Sequence, residues 1–262
     1  MDVSKPYTPD TDSLFGERLA TSGVCDTHGA WESFYWSKFP NRTTCPRCVG
    51  DAQRAKEAAE AEANRAAAAA RRISALESVG VGPRHLGKTL DSFIAETAEQ
   101  RRALEACRAL VDGVVADRKN IPSLILSGAP GTGKTHLTCA IVQACYDAGR
   151  DVLKVNVMDI VRAIKASWRK GAERDEEEVI ESAASRDLLI IDEIGVQFGS
   201  DTERMYVFEI INRRYERCLP TVLISNLDMD SLKAEVGERV IDRMREDGGK
   251  LLVFTGASWR KQ

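Results

Sequence analysis

No stretch of this sequence strings together the ~20 apolar residues that a membrane-spanning helix needs, so no membrane helix is expected. The opening MDVSKPYTPD has neither an apolar core nor a cleavage signal, so it does not read as a secretion leader and a cytoplasmic location is expected. Net charge is also nearly absent. With 37 Lys and Arg against 40 Asp and Glu the balance is −3, which excludes a global pull toward nucleic acid and leaves only local patches. No internal repeat is apparent, which argues against a solenoid. An even set of cysteines is missing too. Seven Cys, several of them in apolar helical text, suit a reducing compartment better than a disulfide framework.

What is there divides into three zones. Residues 1–50 are turn-rich and aromatic, with three of the Cys and one His. Residues 51–80 are Ala-dominated with interleaved charges, strong helix formers without a broad apolar stripe, which predicts an exposed helical linker. From residue 81 to 262 short apolar runs alternate with helical patterns. SLILS (123–127), VLKVNV (152–157), LLIID (188–192), TVLIS (221–225) and KLLVF (250–254) predict an α/β domain with a parallel sheet covered by helices on both faces.

The first of these strands runs into GAPGTGKT. Gly128, Ala129, Pro130, Gly131, Thr132, Gly133, Lys134 and Thr135 satisfy the phosphate-loop pattern, with a strand before and a helix after. Backbone N–H groups must approach the phosphates of ATP, and Gly131 and Gly133 are expected to leave that space. Lys134 would meet the outer phosphates, and Thr135 would offer its hydroxyl to Mg²⁺. LLIIDEIG then ends a buried run in Asp192, a second Mg²⁺ ligand, and Glu193, placed to activate a water. A carboxylate in that place favours hydrolysis over transfer to a metabolite. TVLISN brings Asn226 to the same sheet edge, where an amide would hold the attacking water.

GAPGTGKT, LLIIDEIG, TVLISN and GERVIDRMRED (237–247), in this order, resemble the DnaC-type AAA+ ATPases, which include replicative-helicase loaders and IstB transposition helpers. The resemblance covers about residues 80–262. It implies a P-loop AAA+ fold, nucleotide held between subunits of a ring or spiral, and Arg243 as a finger inserted into a neighbour's site, with Arg239 as helper or alternative. Arg260 falls where a sensor arginine would reach its own nucleotide, and Lys88–Phe93 falls near the base. Extra helical structure between the second strand and LLIID would face single-stranded DNA, with Lys165, Trp168, Arg169 and Lys170 as contacts; the acidic run Glu176–Glu178 beside them weakens that case. The implied function is ATP-dependent loading of a replicative helicase onto single-stranded DNA. The alternative is an IstB-like helper that binds duplex DNA and recruits a transposase.

In the first zone, Cys25-x-x-His28 and Cys45-x-x-Cys48 form two close pairs separated by sixteen residues. Four such ligands predict a closed, structural Zn²⁺ site, which a segment this short needs in order to fold. Trp31, Phe34, Tyr35, Trp36 and Phe39 exceed what so small a core requires, so some are expected to line a binding face. The resemblance places the helicase there; a zinc module is not universal in the family, which leaves single-stranded DNA as the alternative occupant, and similar cysteine arrangements in phage and prophage loader-like proteins suggest that kind of origin.

Overall fold

The computed structural model describes residues 14–39, 44–195 and 201–255. The chain divides into two units, Met1–Arg71 and Arg72–Gln262, and the division falls inside one long helix.

The first unit is built on an antiparallel hairpin of β1 (Arg18–Cys25) and β2 (Gly29–Trp36), followed by α1 (Pro46–Ser78). This replaces the turn-rich zone that the sequence suggested: RLATSGVC and GAWESFYW pair along their full length, Arg18 opposite Trp36 and Cys25 opposite Gly29. The helix also starts earlier than the predicted linker. Pro46 opens it, as suits a residue with fixed φ and no N–H to leave unpaired. Its body is exposed, because Ala and charged residues give it little to bury. Its end is closed in the second unit. Gly80 takes φ +92°, Val81 N–H donates to Leu76 O at 2.9 Å, and the side chains of Leu76 and Val81 are both fully buried.

The described residues of the second unit form five parallel strands: β3 (Leu124–Gly128), β4 (Val152–Asn156), β5 (Leu188–Ile194), β6 (Thr221–Ser225) and β7 (Lys250–Phe254). Their spatial order is β4-β5-β6-β3-β7, so β3 with its phosphate loop sits between β6 and β7. Successive strand residues go to opposite faces, and both faces are covered. Leu124, Leu126, Leu188, Ile190, Val222 and Ile224 join the core under α2 (Ala98–Val115) and α3 (Lys134–Asp147). Ile125, Leu189, Ile191 and Leu223 join the other core. It is completed by α4 (Val157–Ser167), α5 (Glu176–Ala184), α6 (Asp201–Glu216), α7 (Met229–Val236) and α8 (Glu238–Arg245). Continuous apolar runs are what a doubly covered sheet demands, and each buried Leu or Ile contributes roughly 1.5–3 kcal/mol. Among the described residues no helix is long and apolar enough to cross a membrane.

Candidate active site

The phosphate loop leaves β3 at Gly128 and enters α3 at Lys134. Gly128, Gly131 and Gly133 have φ of +132°, +82° and +103°, values that side-chain-bearing residues resist. The space at Gly133 has an owner other than phosphate: a Cβ there would come within 2.6 Å of the Phe93 ring. The glycine therefore also lets an aromatic wall close on the loop. Lys134 is buried and donates to the carbonyls of Gly128 (2.5 Å) and Ala129 (2.9 Å), while the Thr132 hydroxyl donates to Ala129 O at 2.8 Å.

Around this loop lies a cavity of about 630 Å³. Pro130, Gly131, Gly133, Lys134 and Thr135 form one wall, and Asp192, Glu193 and Asn226 another. Lys88, Ser92 and Phe93 close a third, beside His85 and His136. The His136 ring meets Phe93 edge-on at 5.4 Å and lies 3.1 Å from both Thr89 O and Ser92 Oγ. Burial holds its pKa below the ordinary histidine value.

The carboxylates are set by strand register. Asn156 of β4 pairs with Asp192 of β5, and a bulge follows between Ile191 and Ile194. Glu193 sits in that bulge at φ +58°, a left-handed conformation costing on the order of 1–2 kcal/mol. Asp192 Oδ1 accepts the Glu193 N–H at 2.8 Å, and Asp192 Oδ2 accepts Lys154 Nζ at 2.6 Å. Asn156 divides its amide: Oδ1 caps α4 by accepting Met158 N–H at 2.9 Å, and Nδ2 donates to Glu193 Oε2. Asn226 is steadied through its neighbours. The Ser225 hydroxyl donates to Ile194 O at 2.6 Å, and the Ser127 hydroxyl donates to Leu227 O at 2.5 Å, tying β5, β6 and β3 together. Thr135 and Asp192 offer hard oxygen donors to one cavity, a set that fits Mg²⁺. Sequence reading missed Asn156 and Lys154. The signal for Asn156 was its place between an apolar strand and an apolar helix.

The ligating atoms of Cys25, His28, Cys45 and Cys48 all lie within 4.8 Å of one another. Cys25 ends β1, His28 stands in the hairpin turn, Cys45 precedes α1, and Cys48 lies in its first turn, so the second pair sits at a helix start rather than in a tight turn. His28 turns Nδ1 to the sulfurs, 3.3 Å from Cys48 Sγ, and its Nε2 meets Asp51 Oδ2 at 2.9 Å. Three thiols and an imidazole oriented by a carboxylate are the donor set of a structural zinc site, and the cluster fits Zn²⁺. Hydrogen bonds, led by the His28 backbone N–H, pull the Cys25 thiol down to about 6. The Cys25–Cys48 sulfur contact at 3.3 Å pushes the Cys48 thiol up to about 12. Of the hairpin aromatics, Phe34 and Trp36 meet edge-on at 6.4 Å, Arg18 covers Phe34 at 3.9 Å, and Phe39 stays exposed.

A family model for IstB-like ATP-binding proteins matches residues 60–262. The chain belongs to that family. It is a DnaC-type AAA+ member by its relatives as well. The replicative helicase loader DnaC of Escherichia coli (strain K12) is 36% identical over 183 residues, 70% of this chain and 73% of that protein. DnaC of Buchnera aphidicola subsp. Acyrthosiphon pisum (strain APS) is 35% identical over 182 residues, with the same shares. Among solved structures, a DnaC helicase loader superposes with a TM-score of 0.57 at 24% identity, covering 66% of this chain and all of that one. AMPPCP-bound DnaA from Aquifex aeolicus superposes with a TM-score of 0.56 at 24% identity, covering 67% and 51%. These two superpositions speak for the fold. The cysteine–histidine cluster lies outside the matched residues.

The two arginines expected to act on a neighbour's site lie on α8. Arg239 is exposed on it, whereas Arg243 is half-buried, stacked over Phe208 at 4.7 Å and near Tyr215 at 5.5 Å. Its Nη1 is buried without a hydrogen-bond partner among the described residues. Neither arginine lines its own chain's cavity. Arg260 lies outside the described residues. The proposed DNA contacts are partly engaged with acids. Lys165 pairs with Glu203 at 2.6 Å, and the Trp168 indole donates to Glu176 Oε2 at 2.6 Å while staying half exposed. Arg169 and Lys170 remain exposed.

Proposed function

We propose that the second unit hydrolyses Mg·ATP at contacts between copies of the chain and that this cycle loads a replicative helicase onto single-stranded DNA. One observation carries the reading: phosphate loop, Asp192, Glu193 and Asn226 converge on a single cavity at the carboxyl ends of parallel strands. Lys134 and Thr135 would hold the triphosphate and its Mg²⁺ with Asp192, and Glu193 would draw a proton from a water placed by Asn226. Arg243 would complete a neighbour's site. A guanidinium's planar fork of donors suits phosphate oxygens, and Arg243 would swing off Phe208 to offer it. The zinc unit would hold the helicase. The kinship with helicase loaders of similar length supports the loading role.

The test uses mixed assemblies. Arg243→Ala and Glu193→Gln should each lose most ATPase activity alone, by roughly 10³-fold or more for the finger. Mixing them should restore part of it, because each supplies what the other lacks. Full activity of Arg243→Ala alone would remove the shared-site reading. The family model's IstB description favours a second reading, a transposition helper acting on duplex DNA. Capture of a replicative helicase rather than a transposase by the ATP-bound chain separates the two.

A further inference from the structure

The Lys154–Asp192 pair has a consequence for how metal enters the site. Both side chains are largely buried, 12% and 15% exposed, and Nζ stands 2.6 Å from Oδ2. The other oxygen, Oδ1, is taken by the Glu193 N–H. A divalent ion held by Asp192 would thus share its carboxylate with an ammonium. Lys154 has little room to withdraw. Its N–H donates to Val79 O at 2.9 Å, and its carbonyl lies so close under Gly80 that a Cβ there would come within 1.8 Å. The buried Cys139 of α3 feels both charges, and burial raises its thiol pKa, which marks the surroundings as poorly solvated. In such surroundings like charges repel with little screening.

Resting on the Mg·ATP reading above, we propose that Lys154 neutralises Asp192 so that the site refuses a bare divalent cation and accepts one only together with a triphosphate. A free ion must displace or tolerate the ammonium for the sake of one carboxylate. An ion arriving on ATP brings the phosphate charge that offsets Lys154 and gains phosphate oxygens as further ligands. Lys154 is thereby a positioning residue: it makes metal binding conditional on nucleotide.

Mn²⁺ alone is the probe, titrated into the full-length, zinc-loaded, nucleotide-free protein, with free Mn²⁺ read by electron paramagnetic resonance. Lys154→Met should bind Mn²⁺ roughly tenfold or more tightly than wild type, the effect of removing a unit charge a few ångströms away. Lys154→Gln should do the same and guards against a folding defect peculiar to Met. Lys154→Arg, which keeps the charge, should stay weak. Adding Asp192→Asn to Lys154→Met should erase the gain. The proposal is overturned if Lys154→Met and Lys154→Gln bind no more tightly than wild type, if Lys154→Arg gains as much as they do, or if the gain survives in the double variant. The titration uses no ATP. A chain that hydrolyses nothing yet shows the Asp192-dependent gain would defeat the ATPase reading alone, and one that hydrolyses ATP without the gain would defeat this inference alone.

Discussion

Asn156 shows how much one side chain can carry. Its carbonyl oxygen caps α4 and its amide nitrogen holds Glu193, so one substitution disturbs both a helix and the proposed base. The two roles separate by choice of replacement. Asn156→Ser keeps a cap-competent oxygen and removes the donor to Glu193; Asn156→Ala removes both. The amide's hydrogen bond also occupies Glu193 Oε2, an oxygen that must be free to accept the proton of the attacking water. Asn156→Ser should therefore raise basal ATP turnover several-fold with an almost unchanged melting temperature. Asn156→Ala should raise turnover likewise and lose about 1 kcal/mol, or roughly 2–4 °C in melting temperature. Steady-state ATPase assays beside calorimetry check both, and a fall in turnover for Asn156→Ser would show that the amide assists Glu193. The same residue explains a limit of sequence reading. Lys134, Thr135 and Asp192 were legible because a loop and a strand end specify them locally. Asn156 acts through the pairing of β4 with β5, a register that no local pattern states.

The helices and strands were readable to within about a residue where apolar runs set them, as in β6 and β7, and less so where one residue ties distant elements. Arg214, in the charged run NRRYER at the end of α6, is fully buried. Its guanidinium donates to Ala184 O (3.0 Å) at the end of α5, Arg186 O (2.7 Å) in the connection to β5, and Pro220 O (2.6 Å) with Thr221 Oγ1 (2.9 Å) at the start of β6. Those acceptors come from two separate segments of the chain, 184–186 and 220–221, so the sequence offers no hint that they share one donor. A planar fork of donors suits them, and a cation beside the α5 C-terminus is favoured by the helix dipole. Arg214→Met would leave several buried carbonyls unpaired, at about 3 kcal/mol. We expect melting to fall by roughly 6–12 °C, and Arg214→Lys to recover little of it because one ammonium cannot span the same set. Differential scanning calorimetry of the two variants decides the matter, and a Lys variant equal to wild type would show that charge alone suffices.

The chain as a whole relies on two different sources of stability. Both apolar cores of the second unit are built from Leu76 onward. Among its described residues the hairpin unit has no comparable core, and its buried hydrophobic side chains are few. We expect a unit of that kind to draw its folding free energy from a metal bound at the cysteine–histidine cluster. Stripping zinc with a strong chelator should therefore unfold the hairpin, seen as a red shift in the emission of Trp31 and Trp36, while the main calorimetric transition and ATP binding persist. Asp51→Ala, which removes the partner of His28 Nε2, should reach the same end at lower chelator concentration, with zinc affinity down roughly 10–100-fold. The cluster was foreseen because two C-x-x-[CH] pairs announce it; Asp51 was not, since its role depends on α1 placing it one turn beyond Cys48. If chelation instead abolished the main transition together with the tryptophan signal, the second unit's cores would have to depend on the metal-held segment. ATP titrated into the stripped protein would then fail to raise its melting temperature, whereas the expected outcome is an ATP-dependent rise like that of the zinc-loaded chain.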